Sequence, residues 1–405
     1  MKHKIIAIAA AAAANQIVNS NTKLINTILH VTVELEVNKS KKRKKPRLLR
    51  RCIPDPSTSV WRTIDEKGRD REFLFFTSLT RPSFNLLVEL ISSNLESHPI
   101  KAAYGKPKKK HLSRRLFSNR DIVAMLLKSM TTVAEPKDLY VQFGATATSF
   151  HDYVELGMRC IIQTLSDDPR AKVYWDRSED ALQKAAERTK SFLSIPNVVG
   201  MLDGMKKSSL SPKDPKDQNK DYNGWTGDTN RNVLLLWDPM GKIVDAVVNS
   251  PGSFHDSKAA RWGEVYDHIG TLPPKYKVVC DSAFSCGGEL GDRLVKTKLK
   301  TQLTDDNNNK MDDANDIVQY ESQLTHLRQS SEWGNHVLVD TFRRLHRRLP
   351  TDNVSRGYIL WTCILLCNYR TETMGRNQIR TYFDYLQSKI ESDNEDENEN
   401  ANDNE

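Results

Sequence analysis

The chain has 405 residues, 60 of them Lys or Arg against 52 Asp or Glu, a formal net charge of +8, and 38% hydrophobic residues. That length allows two or three domains, and the apolar share is enough for packed cores between polar tails. The six cysteines, at 52, 160, 280, 286, 363 and 367, form no C-x-x-C pair and have no His at finger spacing. This argues against a zinc finger or a disulfide scaffold and for a reducing, intracellular compartment. No apolar run reaches the roughly 18 to 20 residues of a membrane span.

Residues 1–70 are expected to be a low-complexity and basic arm. MKHKIIAIAAAAAANQ has the basic start, apolar run and small residues of a secretory signal, but its poly-Ala is equally a low-complexity helix. Residues 39–51, KSKKRKKPRLLRR, hold nine basic residues in thirteen. So dense a run does not fold alone and reads as a nuclear-localisation or phosphate-binding arm, with a solvated linker as the plain alternative. A second basic cluster spans 106–115.

Residues 71–175 read as a helical domain. Phe84, Leu87, Val88 and Ile91 keep helical spacing after a Thr80-Arg81-Pro82 start, and Ser118 is placed to cap a second helix. A short helix, a break at Gly144 and a longer helix from 146–148 suggest a helix-turn-helix, with Thr148, Ser149 and His151 on the face free to approach bases. Asp152 and Glu155 on that helix oppose phosphate, so a purely structural helical bundle stands beside the recognition reading.

A charged helix over 175–196 leads into an α/β stretch. The β-branched run VVGMLDG closes on Asp203, and KVVCDSAF closes on Asp281, as buried strands do when they deliver a carboxylate to a sheet edge. Between them, residues 206–231 are polar and hold Lys206, Lys207, Tyr222 and Trp225. Lysines interleaved with aromatics suit a phosphate backbone and a stacked base, whereas a loop Trp is otherwise a packing anchor. NVLLLWDPMGKIVDAVVN reads as a hairpin turning at Asp238-Pro239-Met240-Gly241, and PGSFHDSKAARWGEVYDHIG as a loop and helix. His255 and Asp256 at that helix start either touch a phosphate or, with Ser257, merely cap.

A third acid, Glu332, lies on a helix whose Leu338, Phe342, Leu345 and Leu349 keep helical spacing, at the margin of the packed face. Rival acids sit in the Asn-rich 303–316 insertion and at Glu321. Two strand-end Asp and a helix Glu make an all-oxygen site, the donor type for Mg²⁺ or Mn²⁺. Two such ions about 3.5 to 4 Å apart stabilise attacking and leaving oxygens of a phosphodiester displacement. Arg343, Arg344, Arg347 and Arg348 are placed on the exposed side and C-terminal end of that helix, available to DNA. Residues 356–375 are apolar enough for a buried helix. Residues 386–405 are expected to be an acidic disordered tail, with eight acids and no Lys or Arg among the last fifteen residues.

LDG at Asp203, YNGW at Tyr222, PGSFHDS at Pro251, CDSAF at Cys280, RQSSEWG at Arg328 and LLCNYRTETMGRNQIRTYF at Leu365 resemble, in order and spacing over about half the chain, the nuclease domain of PIF/Harbinger-type DNA transposases and their domesticated relatives. The resemblance is particularly to the subgroup found in fungi and oomycetes. The resemblance implies an RNase H-like nuclease domain over 190–385 behind a helical DNA-binding domain, with Asp203, Asp281 and Glu332 as the catalytic metal triad and His255-Asp256 as accessory. It implies DNA as substrate, a nuclear location, a separate Myb-like DNA-binding partner and a homo-oligomer during transposition. Met205-Lys206 stand where many members have Thr-His, and Ala283-Phe284 where many have Gly-Tyr. Those departures support the alternative of a domesticated DNA- or protein-binding nuclear factor without turnover.

Overall fold

The computed structural model describes residues 52–98, 115–285, 288–296 and 314–402. The alanine-rich start, both basic clusters up to residue 114 and the rival acids 305, 306, 312 and 313 lie outside them. In chain order the elements are α1 (Val60–Lys67), α2 (Asp70–Thr77), α3 (Arg81–Ser97), α4 (Asn119–Thr131), α5 (Pro136–Phe143), α6 (Ala147–Leu165), α7 (Glu179–Arg188), β1 (Val198–Ser208), α8 (Pro215–Asp221), β2 (Tyr222–Asn223) and β3 (Asp228–Trp237). They continue as β4 (Ile243–Pro251), α9 (Asp256–Trp262), α10 (Val265–Gly270), β5 (Lys277–Cys280), β6 (Leu294–Lys296), α11 (Ala314–Thr341), α12 (Asn353–Met374) and α13 (Gln378–Asn402). Contacts divide the chain into two compact units, one of residues 1–172 with 339–374 and one of 173–338 with 375–405. No helix among the described residues is long and apolar enough to cross a membrane.

The first unit holds α1 to α6 and α12. Helical order begins before residue 71, because Trp61 on α1 is buried among Phe73, Phe76, Phe84 and Phe143. The Trp61 indole donates to Asp121 at 2.8 Å, and the same carboxylate closes a capping box with Ser118 at the start of α4. Thr80 caps α3 and Thr146 caps α6 through the backbone N–H groups of Ser83 and Ser149. Of the residues expected to face bases, Thr148 and His151 are exposed. Ser149 is engaged by its cap, and His151 Nε2 lies 2.8 Å from Tyr140 Oη within the α5–α6 pair. The apolar 356–375 stretch falls in the helix α12, which starts three residues earlier and ends at Met374, and whose Tyr369 hydroxyl donates to the Ser83 carbonyl at 2.7 Å.

The second unit is built on a mixed sheet in which β3 pairs antiparallel with β1 and β4, and β1, β5 and β6 run parallel. This arrangement is compatible with an RNase H-like nuclease domain. The expected hairpin is β3–β4, and its turn uses Gly241 at φ +79°, where a Cβ would fall 2.4 Å from the Asn377 amide. β1 does not end at Asp203. It continues to Ser208, because Gly204 to Ser208 find partners in Leu234 to Asn230 of β3, so part of the expected loop is strand. The core beneath the sheet packs Val199, Leu202, Leu234, Leu236, Val278 and Phe284 against α9 and α10.

Gly252, just after β4, lets the chain pass tightly beside the β2–β3 ribbon, and a Cβ there would lie 2.2 Å from Asn230 O and 2.4 Å from Asp221 O. Both neighbours are backbone and cannot swing aside. Gly252→Ala is therefore expected to cost about 1 to 3 kcal/mol by overpacking, read as a lower midpoint in urea unfolding.

α11 stops at Thr341, eight residues before Leu349, because Phe342 turns to φ −102°, ψ 69° and the chain enters a short 3₁₀ turn over Arg343–His346. The arginines expected on the helix thus lie beyond it. Arg343 and Arg348 are exposed, burial pushes the Arg344 guanidinium down, and Arg347 donates to Ala134 O at 3.0 Å. At the far end, α13 carries helical backbone through the acidic stretch as far as Asn402, where disorder was expected; its glutamates are good helix formers.

Candidate functional site

Four carboxylates gather at the C-terminal end of β5 and beside β1. Asp203 is held from both sides: Oδ1 accepts from its neighbour Gly204 N at 2.8 Å, and Oδ2 from the Asn335 amide of α11 at 2.9 Å. Asp281 follows the last residue of β5, and its Oδ1 accepts from Ser282 N at 2.5 Å. Asp256 opens α9 directly against β1, so a Cβ on Gly204 would come within 3.0 Å of its carboxylate. Glu332 projects from α11, where Arg328, one turn earlier, lies 2.9 Å from its Oε1 and 4.0 Å from Asp281 Oδ1. One guanidinium therefore faces two of the acids.

Burial is the main reason that Asp203 is pushed up to about 6, and the charges of Glu332, Asp281 and Asp256 push in the same direction against the Gly204 hydrogen bond. Burial also raises Asp256, as does Asp281, while the positive charges of Lys206 and His255 oppose the shift. A cluster of this kind is electrostatically short of cations. Its donors are all carboxylate oxygens, which fits Mg²⁺ or Mn²⁺ in charge and ligand type. Among the described residues, no three His, Cys, Asp or Glu side chains stand close enough together to hold one ion as placed. The fit is therefore one of chemistry and charge, with Arg328 lying between two of the candidate ligands.

Residues 202–368 match the family model described as DDE superfamily endonuclease. Neither the curated proteins nor the solved structures gave a match. The DDE-endonuclease match begins one residue before Asp203 and takes in Asp256, Asp281, Glu332 and the two residues that contact them, Arg328 and Asn335. A transposase-type nuclease is the activity this family carries.

Within the DDE-matched segment the other expected residues fall as follows. His255 is exposed at the N-cap position of α9 without a side-chain cap bond. Ser257 does not cap either: its hydroxyl donates to Ala283 O at 2.6 Å and accepts from Ser285 N at 2.8 Å, tying α9 to the loop behind Asp281. The capping alternative is thereby replaced by a loop tether, with Asp256 turned toward Gly204. Lys206 is exposed, Lys207 partly so, and Tyr222 and Trp225 are 47% and 94% exposed, so Trp225 is no packing anchor. Glu321 lies on α11 eleven residues before Glu332, about 16 Å along the helix axis, too far to substitute for it. The departure at Phe284 is a core residue, 1% exposed, below the Asp281 loop.

Asn335 was not anticipated. It is 8% exposed, accepts from the Trp237 indole at 3.1 Å through Oδ1, and so is fixed with its amide aimed at Asp203. The only sequence signal is its spacing: three residues after Glu332, it shares that face of the helix. Arg328 carries the same signal, one turn before Glu332.

Proposed function

We propose that this protein is a metal-dependent DNA endonuclease and strand-transferase of PIF/Harbinger transposase type, in which Asp203, Asp281 and Glu332 hold Mg²⁺ or Mn²⁺. The observation that carries the reading is the gathering of three further acids around a partly buried Asp203 inside the segment that matches the DDE endonucleases. Bound divalent ions at such a site supply a nucleophile at neutral pH and neutralise charge on the attacking and leaving oxygens of a phosphodiester.

The chain's own residues set the conditions for that chemistry. Asn335, fixed by Trp237, holds the Asp203 carboxylate in one orientation and favours its ionised form. Arg328 balances the charges of Asp281 and Glu332. Lys206, exposed on the same strand as Asp203 and within electrostatic reach of Asp256, offers a positive charge at the border of the cluster to an approaching phosphate backbone. Asp256 and His255, at the start of α9 beside the cluster, are the groups to which this reading gives proton exchange with the leaving or attacking oxygen.

The substrate on this reading is the end of a mobile element in nuclear DNA, with a Myb-like partner supplying much of the sequence recognition and a homo-oligomer holding two ends. Its test is nicking of supercoiled plasmid by the full chain. Conversion to the open circle is expected in Mg²⁺ and in Mn²⁺ and none in EDTA. DNA retained in a gel shift with no nicking under either metal would leave a DNA-binding factor without turnover in its place.

A further inference from the structure

We propose that Trp225 is a stacking platform for an unpaired DNA base, carried on the tip of the β2–β3 hairpin, whose base at Asp228 is about 23 Å along the sheet from Asp203. The inference rests on the DNA-nuclease reading and adds to it a contact outside the acid cluster. Trp225 is 94% exposed, more than any other large hydrophobic side chain among the described residues. It sits in the four-residue loop between β2 and β3, flanked by Gly224 and Gly227, at both of which a Cβ would meet nothing within 4 Å. The tip is thus slim and stands clear of the rest of the unit.

The loop is nonetheless held firmly. Asn223, itself buried, accepts from the backbone N–H groups of Trp225 and Thr226 at 3.0 and 3.2 Å and donates to Gly252 O at 2.6 Å. Gly227, at φ +63°, closes the turn through Asn223 O, and the Asn230 amide donates to the Thr226 hydroxyl at 2.6 Å. Five such bonds hold the backbone that carries the indole, so a flat partner covering the ring has only the side chain, and not the loop, to order.

Charge decides the class of partner. The exposed run leading into the hairpin carries Lys213, Lys216 and Lys220. Asp217 pairs with Lys220 and Asp221 is buried against Arg231, while Asp214 caps α8 and keeps its charge, so Lys213 and Lys216 are the lysines of the run outside these pairs. Exposed ammonium groups beside a bare aromatic face suit a single strand, whose phosphates and unstacked bases need both, whereas a duplex hides its base faces.

Leu235 lies opposite Asp203 in the β1–β3 register, and Asp228 at the hairpin is seven residues further on, about 23 Å at strand rise. Because every base offers a π-face, the contact is expected to be indifferent to sequence.

The test titrates the full chain with a fluorescein-labelled 20-nucleotide single strand and with the matching duplex, following anisotropy and tryptophan emission. Single-strand binding is expected to quench tryptophan emission. Trp225→Leu is expected to bind the single strand roughly tenfold more weakly, to lose most of the quenching and to bind duplex within about twofold of wild type, while Trp225→Phe retains most of the affinity. Single-strand affinity unchanged in Trp225→Leu, or an equal loss on duplex, overturns the stacking role and leaves the nuclease reading standing. Failure of the wild type to bind either DNA removes both.

Discussion

Asp203→Asn is expected to abolish metal-dependent nicking and at the same time to make the protein more stable. A carboxylate that contacts the ion directly should matter at least as much as the residues behind it, whose loss costs roughly 10- to 100-fold, so cleavage should fall by more than about 100-fold. Stability moves the other way because the folded protein strains to keep this group ionised. Its carboxyl is pushed up to about 6 by burial and by three neighbouring acids, against an ordinary value of 3.8.

The folded state then holds the proton more tightly than the unfolded chain between about pH 4 and pH 6, so stability falls as pH rises through that window. Above about pH 6 the whole cost is present, about 3 kcal/mol for two pH units. Asn carries no charge and escapes it, although its amide matches the Asn335 donor less well, so a gain of about 1 to 2 kcal/mol is expected at pH 7.5. Thermal melts at pH 4.5 and 7.5 check this: the variant's advantage should appear at the higher pH and vanish at the lower. Asp281→Asn should lose cleavage equally. An Asp203→Asn protein that nicks like wild type, or that melts below it at pH 7.5, contradicts the account.

Trp237→Ala is the second large effect. The ring is 0% exposed and packs face to backbone with α11, where a Cβ on Gly334 would lie 2.6 Å from it, and its indole N–H holds Asn335. Truncating a buried Trp costs about 3 to 5 kcal/mol through lost transfer energy and the cavity left behind. Trp237→Phe separates packing from orientation, since it keeps most of the ring but leaves the Asn335 oxygen without its donor, for about 1 to 3 kcal/mol. Urea unfolding should rank the proteins wild type, Phe, Ala. Trp237→Phe should also lower cleavage, because the Asn335 amide is no longer held toward Asp203. Equal stability and cleavage in Trp237→Phe and wild type would show that the Trp237–Asn335–Asp203 chain has no consequence.

What the sequence carried, and what it withheld, follows from how local each signal is. Thr80, Ser118 and Thr146 mark helix starts because a cap acts on backbone two or three residues away. The Asp238-to-Gly241 turn is legible for the same reason, Gly241 supplying the positive φ at a fixed place. The extension of β1 past Asp203 is not, since Lys206 to Ser208 are polar or charged and become strand only because Asn232 to Asn230 lie beside them. Helical spacing likewise ran on to Leu349 although α11 ends at Thr341; Leu345 and Leu349 are buried from a different backbone, so burial alone mimicked a helical stripe.

At the site, the strand-end position of Asp281 and the half-exposed margin of Glu332 could be read from apolar runs and periodicity. The roles of Asn335 and Arg328 could not, because a hydrogen-bond donor aimed at a carboxylate on another element leaves no trace in composition. Nor did spacing reveal that Asp256 would face Gly204, since the space for it is made by a missing side chain on β1.

The central claim is that Asp203, Asp281 and Glu332, with Arg328 now lying between two of them, take up divalent cations. Titration of the full chain with Mn²⁺, followed by the loss of the free-ion electron paramagnetic resonance signal, measures it without DNA or turnover. Saturable binding by the wild type, lost in the Asp203→Asn, Asp281→Asn, Glu332→Gln triple variant that still melts cooperatively, is the result expected. Equal Mn²⁺ uptake by wild type and triple variant, or none by a folded wild type, would contradict it.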